Sequence, residues 1–179
     1  ALCTDLGRNT PLDEIRIEAP GYQTYRHNDH HEFELIALPP RAMSLLGLCF
    51  CSACRSDAAS VGIDAEALAR KARSELEAFF SEGTLASADL NEDPDWQAFI
   101  DWRCRVVTAL VTRLRDSIPA GIALSVIPTV RTPLNTCWRE GADLTQLASA
   151  ADLLSVPIYR NAEDTAEEIA WARVEAGPE

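Results

Sequence analysis

The sequence predicts an α/β fold in which parallel strands alternate with crossover helices. Two observations carry this prediction. Short apolar segments with strand character recur at 13–18, 121–130 and 152–160, and amphipathic helical segments separate them. Parallel strands need a crossover connection, which is usually a helix, so this alternation favours a parallel sheet. The whole chain, residues 1–179, is expected to form a single α/β domain.

The first half of the chain has a short opening helical segment, one strand and two long helices. Polar and apolar residues alternate in DEIRIE at 13–18, as in a half-buried strand. Asp64 is a suitable N-cap for the amphipathic segment AEALARKARSELEAFF that follows it. A second helix is predicted from Pro94 to about Ser117, since proline is favoured in the first turn of a helix.

The second half alternates strands and helices more closely. The segment GIALSVIPTV at 121–130 is apolar enough for a buried strand, and a short helix is predicted near 143–150. DLLSVPIYR at 152–160 predicts another buried strand, and an amphipathic helix follows at about 164–175. Each strand is thus followed by a helix, as right-handed βαβ crossovers require.

The faces of the first strand favour part of a (β/α)8 TIM barrel over a doubly wound sheet. Ile15 and Ile17 share one face of that strand. Arg16 and Glu18 share the other, and polar side chains near the carboxyl end of a strand suit the mouth of a barrel. No glycine-rich phosphate loop follows any of the strands, which disfavours a dinucleotide-binding sheet.

A complete barrel closes with eight strands, whereas this sequence shows three. We therefore expect the chain to be the C-terminal half of a larger barrel. The open sides of such a sheet need a cover, so we expect either a homo-oligomer or association with the missing N-terminal half.

Composition excludes several classes of partner. The chain is 47% hydrophobic and 25% charged, as in ordinary soluble domains, and its net charge is −12. Clustered Lys and Arg are needed to neutralise phosphates, so nucleic acid is not an expected partner. No apolar run approaches the ~20 residues that span a bilayer, so no membrane association is expected. Six cysteines are too few for a disulfide scaffold, which favours a reducing, cytoplasmic compartment.

The segment LGLCFCSACR at 46–55 places three cysteines at CxCxxC spacing. Thiolates of Cys49, Cys51 and Cys54 have the spacing to surround one Zn²⁺ ion, with S–Zn distances near ~2.3 Å. A closed structural zinc site has four ligands. The candidates for the fourth are His30, His31, Cys3, Cys137 or a group outside this chain.

Two other interpretations of the cysteine segment stay open. Cysteine is among the most frequently buried residue types, and Leu46, Leu48 and Phe50 make this an apolar neighbourhood, so plain burial competes with zinc. A redox CxxC pair is the third interpretation, although the strand-to-helix setting of thioredoxin-like folds is missing.

A polar segment rich in histidine, YRHNDHHEFE at 25–34, precedes the cysteines. His27, His30 and His31, together with Tyr22, are suited to hydrogen bonding sugar hydroxyls while an aromatic face covers the ring. A metal site or an ordinary solvated loop would have the same composition. We predict substrate contacts for these four residues.

Several motifs together resemble a known family. IRIEAPGY, HNDHHEF, LLGLCFCSACR and the strand IALSVIPTV followed by RTPLN resemble the C-terminal half of uncharacterised bacterial proteins classed as glycoside hydrolases with a TIM barrel. CFCxxC followed by a helix also resembles a zinc-binding element of certain barrel β-galactosidases. The resemblance implies a carbohydrate-active hydrolase in which Glu18 is the acid/base carboxylate. The Asn-Glu pair typical of the best-characterised relatives is Ile17-Glu18 here.

Glycoside hydrolysis normally uses two carboxyl groups, and only one has a clear candidate. Glu18 supplies the general acid in this prediction, unless it forms an ion pair with a basic neighbour. The ends of the later strands offer Arg131 and Tyr159, which we predict to contact substrate. The candidates for the second carboxylate are Glu32, Glu34, Glu163 or a residue of the missing half.

The predicted function is therefore hydrolysis of a carbohydrate by general acid/base catalysis. Two alternatives belong to other classes. One is a non-catalytic carbohydrate-binding or zinc-stabilised structural barrel. The other is a metal-dependent hydrolase that uses the loop histidines, for which sensitivity to chelators would be diagnostic.

Overall fold

The structure, a computed structural model, describes residues 2–25, 38–130, 135–157 and 161–177 of the chain. Helices occupy most of these residues, and the strands form one three-stranded sheet. In chain order the elements are α1 (Leu2–Asn9), β1 (Glu14–Glu18), α2 (Pro40–Leu46), α3 (Ser52–Ser60), α4 (Ala65–Glu82), α5 (Pro94–Ser117), β2 (Ala123–Ile127), α6 (Leu144–Ala150), β3 (Leu153–Leu154) and α7 (Ala162–Ala176). Short 3-10 helices occur at Leu90–Glu92 and Cys137–Glu140.

The chain forms two compact units. One unit, here called the sheet unit, comprises Ala1–Gly21 and Arg103–Glu179. The other, the helical unit, comprises Tyr22–Trp102, so the residues of α5 are divided between the two.

The sheet unit is built on three parallel strands in the order β1-β2-β3. In the central strand, Leu124 and Val126 are fully buried. The strand register aligns Glu18 with Ile127 at the carboxyl ends of β1 and β2. The carboxylate of Glu18 is therefore placed at the end of an outer strand, where it is exposed.

The helical unit buries an aromatic core. Trp96 and Phe99, on the first turns of α5, are fully buried. The Phe99 ring stacks on Phe50 with centroids 5.2 Å apart and on Trp102 with centroids 5.1 Å apart. The indole of Trp102 donates a hydrogen bond to Asp57 of α3 at 2.8 Å, so α3 is tied to the same core.

The two long helices are confirmed, and their end signals explain why. The side chain of Asp64 accepts a hydrogen bond from the Ala67 amide at 2.9 Å, which satisfies one free amide of the first turn of α4. Gly83 ends α4 in a left-handed conformation with φ of 70°. α5 runs from Pro94 to Ser117, as predicted.

The prediction of the C-terminal half of a TIM barrel is wrong. In a barrel, one crossover helix links each strand to the next, whereas the described residues between β1 and β2 already contain four helices, α2 to α5. Most of that connection folds as the helical unit, which has no strand among its described residues. Within the described chain the sheet has only three strands, and β3 has only two residues. The fold is a mixed α/β structure dominated by helices.

Strand lengths and two helices also differ from the prediction. β2 covers 123–127 of the predicted 121–130, and β3 covers 153–154 of the predicted 152–160. α2 and α3 were not predicted as separate elements, although a helix was noted after CFCxxC. No helix in the part of the chain that the structure describes is both long and apolar enough to cross a bilayer.

Candidate metal centre

Three cysteine sulfurs form a cluster in the helical unit. The Sγ atoms of Cys49, Cys51 and Cys54 all lie within 4.8 Å of one another. Sulfurs at ~2.3 Å from a tetrahedral ion would be roughly 3.8 Å apart, so small side-chain rotations bring this cluster to a binding geometry. It is the only group of three or more potential ligands found among the described residues. The three cysteines are close enough together to hold a metal ion.

The start of α3 positions two of these cysteines. Cys51 is the N-cap residue of α3, with φ of −65° and ψ of 167°. Cys54 lies in the first turn of the helix, and the amide of Arg55 donates to the Cys51 carbonyl at 3.0 Å. An N-cap residue and a residue three positions later lie on the same side of a helix start. The helical geometry thus brings Sγ of Cys54 back towards Sγ of Cys51.

The backbone between Cys49 and Cys51 is held by Phe50. Its ring stacks on the buried Phe99, and its carbonyl accepts a hydrogen bond from Nε of Arg55 at 2.7 Å. Arg55 is in turn paired with Glu66 of α4 at 2.6 Å. The cysteine on each side of Phe50 therefore projects from a segment anchored at both its ring and its carbonyl.

A close backbone approach precedes the cluster. Gly47 follows the last residue of α2, and a Cβ atom at this position would lie 3.3 Å from both the Thr24 Cα and the Tyr25 amide nitrogen. Its amide donates to the Met43 carbonyl at 3.2 Å. Glycine lets the chain pass this point closely before it reaches Cys49.

The three thiols have different acidities. The pKa of Cys51 is lowered to about 7, chiefly by a hydrogen bond from the Cys54 amide and then by hydrogen bonds with the Cys54 and Cys49 thiols. Burial, followed by hydrogen bonds with Cys51 and Cys49, raises the pKa of Cys54 to about 12. The thiol of the exposed Cys51 is therefore partly ionised at neutral pH in the metal-free cluster, whereas Cys54 stays protonated. A thiophilic cation would displace the remaining protons.

The other predicted site residues that the structure describes do not join this cluster. Glu18 is exposed at the end of β1 in the sheet unit, and Tyr22 is a half-buried residue of the helical unit. Cys3 and Cys137, two candidates for a fourth ligand, are buried in the sheet unit. The remaining predicted residues fall outside the described ranges: His27, His30, His31, Arg131 and Tyr159.

One polar contact within the sheet agrees with the sequence pattern. Ser125 of β2 is fully buried. Its hydroxyl group forms a hydrogen bond of 2.8 Å with the hydroxyl group of Ser155, the residue directly after β3. Both serines lie in the segments predicted as strands, 121–130 and 152–160. The bond satisfies both hydroxyl groups inside the sheet unit, as buried polar groups require.

A buried arginine is the main polar feature that sequence reasoning missed. Arg41 of α2 is 3% exposed, and it donates to Glu75, Asp93 and the Ala88 carbonyl. Hydrogen bonds with Glu75 and Asp93 outweigh burial and raise the pKa of Arg41. Burial alone would raise the pKa of Asp93, but hydrogen bonds from the Arg41 side chain and the Asp95 amide, with the charges of Lys71 and Arg41, lower it overall. The signal in the sequence that could have indicated a buried arginine is that Arg41 is the single charged residue of the segment PRAMSLL.

Comparisons with known proteins add no family to this description. No protein-family model, curated protein or solved structure matches the chain. Function is therefore argued from the sites themselves.

Proposed function

We propose that the helical unit is a zinc-binding module in which Cys49, Cys51 and Cys54 supply three thiolate ligands to one structural ion. The observation that carries this proposal is the mutual approach of three sulfur atoms to within 4.8 Å. Burial of unrelated cysteines gives no reason for three to converge, and none of the three is fully buried. An ion that enters from solvent needs sulfur atoms that are both close together and partly exposed, as these three are.

Ligand chemistry supports zinc over the harder cations. Thiolates favour Zn²⁺, Cu⁺ and iron–sulfur clusters, whereas Mg²⁺ and Ca²⁺ take oxygen ligands. Zn²⁺ accepts a tetrahedral arrangement, which the CxCxxC spacing around a helix start can provide. A structural site needs a fourth ligand, and the cluster contains none among the described residues. His30 and His31 are the residues to substitute first in search of it.

The ion would act as a clip on the helical unit. It would join the segment on either side of Phe50 to the first turn of α3. Since Phe50 packs on the buried Phe99, the clip would fix this aromatic contact relative to the start of α3. Binding to the folded state alone raises stability according to ion concentration and affinity.

Elemental analysis of the tag-free protein, purified under reducing conditions and reconstituted with one equivalent of zinc, tests the proposal. We expect one zinc per chain after dialysis, and loss of it in Cys51→Ser and Cys54→Ser. Cys3→Ala, which removes a buried thiol of the sheet unit, is the matched control and should keep its metal. Retention of zinc by both serine variants, or no retention by the parent protein, would overturn the proposal.

Glycoside hydrolysis is a second proposal, independent of the metal. It is supported by the exposed carboxylate of Glu18 at the carboxyl end of β1, since ligands of parallel α/β sheets bind beyond that end. Glu18 would protonate the leaving oxygen. Turnover of aryl glycosides should be lost in Glu18→Gln and kept in Glu14→Gln, which alters the same strand at its other end. Sugar binding without turnover would instead favour the non-catalytic alternative, and turnover abolished by chelators would favour the metal-dependent one.

A further inference from the structure

An open apolar groove lies between α2 and α4 in the helical unit. Its volume is about 680 Å³. Leu45 and Leu46 of α2 and the neighbouring Phe50 form one side, and Ala69, Leu76 and Phe80 of α4 contribute to the other. Phe80 is 63% exposed and Leu46 is 36% exposed. Large apolar side chains left open on both sides of a groove, Leu46 on α2 and Phe80 on α4, indicate a surface for another helix.

The groove side of α4 has the spacing of a helix-pairing stripe. Ala69, Ala72, Leu76 and Phe80 recur every three or four residues, so they share one side of the helix, where Ala72 is buried at the base of the groove and Phe80 is exposed. Their sizes increase along the helix, from two alanines to a leucine and then a phenylalanine. Two such helices in antiparallel order place the large end of one stripe against the small end of the other.

The charged residues beside the stripe are complementary to the same residues of a second copy. Arg73 and Glu77 also line the groove, one helical turn apart, and both are exposed. Neither belongs to any ion pair found within the described residues. A two-fold axis near residue 75 would set Arg73 of each copy opposite Glu77 of the other, which forms two equivalent ion pairs.

We propose that the occupant of this groove is α4 of a second copy of the chain, paired antiparallel about a two-fold axis. Leu76 lies nearest the axis, and Phe80 of each copy packs over the space left by Ala69 of the other. The size gradient and the charge order both require the antiparallel arrangement, because a parallel pair would set Arg73 against Arg73 and Phe80 against Phe80. Phe50, which lies between Cys49 and Cys51, also lines the groove, but the stripe of α4 and the Arg73 and Glu77 charges contain no cysteine, so we expect the metal-free protein to dimerise as well.

A charge exchange tests this interface. In sedimentation equilibrium, the 179-residue chain should be a dimer at micromolar concentration. Arg73→Glu and Glu77→Arg should each raise the dimer dissociation constant roughly tenfold or more, since each turns two attractive contacts into two repulsive ones. The double variant Arg73→Glu/Glu77→Arg should restore the original constant. Arg113→Glu, the same charge change at an exposed residue of α5 that does not line the groove, is the control and should dimerise normally.

Phe80→Ser gives an independent measure of the apolar contact. Because Phe80 is exposed in the single chain, its removal should weaken dimers while leaving the circular dichroism spectrum and the melting temperature of the monomer unchanged. A monomeric parent protein across the concentration range, or a double variant that dimerises no better than the single ones, would overturn the proposal.

Discussion

Arg41 and Glu75 form a two-point ion pair in which Nε donates to Oε2 at 2.6 Å and Nη2 donates to Oε1 at 2.9 Å. The planar guanidinium matches the carboxylate edge in a way that a lysine does not. The pair connects α2 to α4, and a third contact from Arg41 to Asp93 extends it to the residue before α5. One buried cation thus holds three segments of the helical unit together.

Replacing Arg41 with methionine should lower the free energy of unfolding by about 3 kcal/mol, because it leaves two partly buried carboxylates without their cation. Urea denaturation followed by circular dichroism measures this value. Arg55→Met is the matched control, since the Arg55–Glu66 pair is about half exposed and surface pairs contribute less than about 1 kcal/mol. Equal losses in both variants would contradict the assignment of Arg41 as the central contact.

Asp93 should make the protein more sensitive to acid. The pKa of Asp93 is lower in the folded state than in the unfolded chain, so its contribution is complete above the unfolded value and is lost as pH falls through the folded one. The stability difference between the parent and Asp93→Asn should therefore stay constant near neutral pH and shrink below about pH 4. Thermal melting across pH 2 to 7 measures it, with Asp116→Asn as the exposed control. A difference independent of pH would show that the charge of Asp93 does not contribute.

Cys51 should be the most reactive thiol of the metal-free protein. Its pKa of about 7 gives a substantial thiolate fraction at neutral pH, whereas Cys54 and the buried Cys137 have pKa values of about 12. The rate of alkylation by iodoacetamide should rise through a midpoint near pH 7, and peptide mass spectrometry should place the first label on Cys51. Added zinc should suppress this labelling. First labelling of Cys54 would contradict the assignment.

Gly21 should not tolerate a side chain. A Cβ atom at this position would collide with the carbonyl oxygen of Glu140, a backbone atom in the 3-10 helix Cys137–Glu140. Gly21→Ala should therefore destabilise the protein by about 1–3 kcal/mol, in the range of overpacked cores. Gly47→Ala is the control, because its nearest contact of 3.3 Å needs only a small shift. Comparable melting temperatures for both variants would show that the Glu140 backbone moves aside without cost.

Local signals explain which elements were predictable. Asp64 and Pro94 mark the starts of α4 and α5 through interactions within a single turn, so the sequence alone placed both. α2 has only seven residues, too few to show a helical period. α3, SACRSDAAS, buries only Ala58 and has no apolar stripe. Short helices of this kind are stabilised by tertiary contacts such as the Trp102–Asp57 hydrogen bond, which local patterns do not contain.

The barrel prediction failed for a related reason. The patterns at 13–18 and 121–130 indicate that these two strands are neighbours in a sheet. They do not show how the residues between the strands fold. The residues between β1 and β2 form a separate compact unit rather than a single crossover helix. The cysteine cluster was predictable because its three members lie within six consecutive residues, 49–54, at the start of α3. The Arg41 pair was not, since its partners are 34 and 52 residues away.

The aromatic contacts beside the cysteines give the helical unit an internal optical reporter. Phe50 lies between two of the cysteines and stacks on Phe99, which stacks on Trp102. The indole of Trp102 is also hydrogen bonded to α3, the helix that Cys51 caps. We therefore expect rearrangement at the sulfur atoms to change the environment of the Trp102 indole, so that the Trp102 contribution to the emission of the four tryptophans reports the state of the cluster.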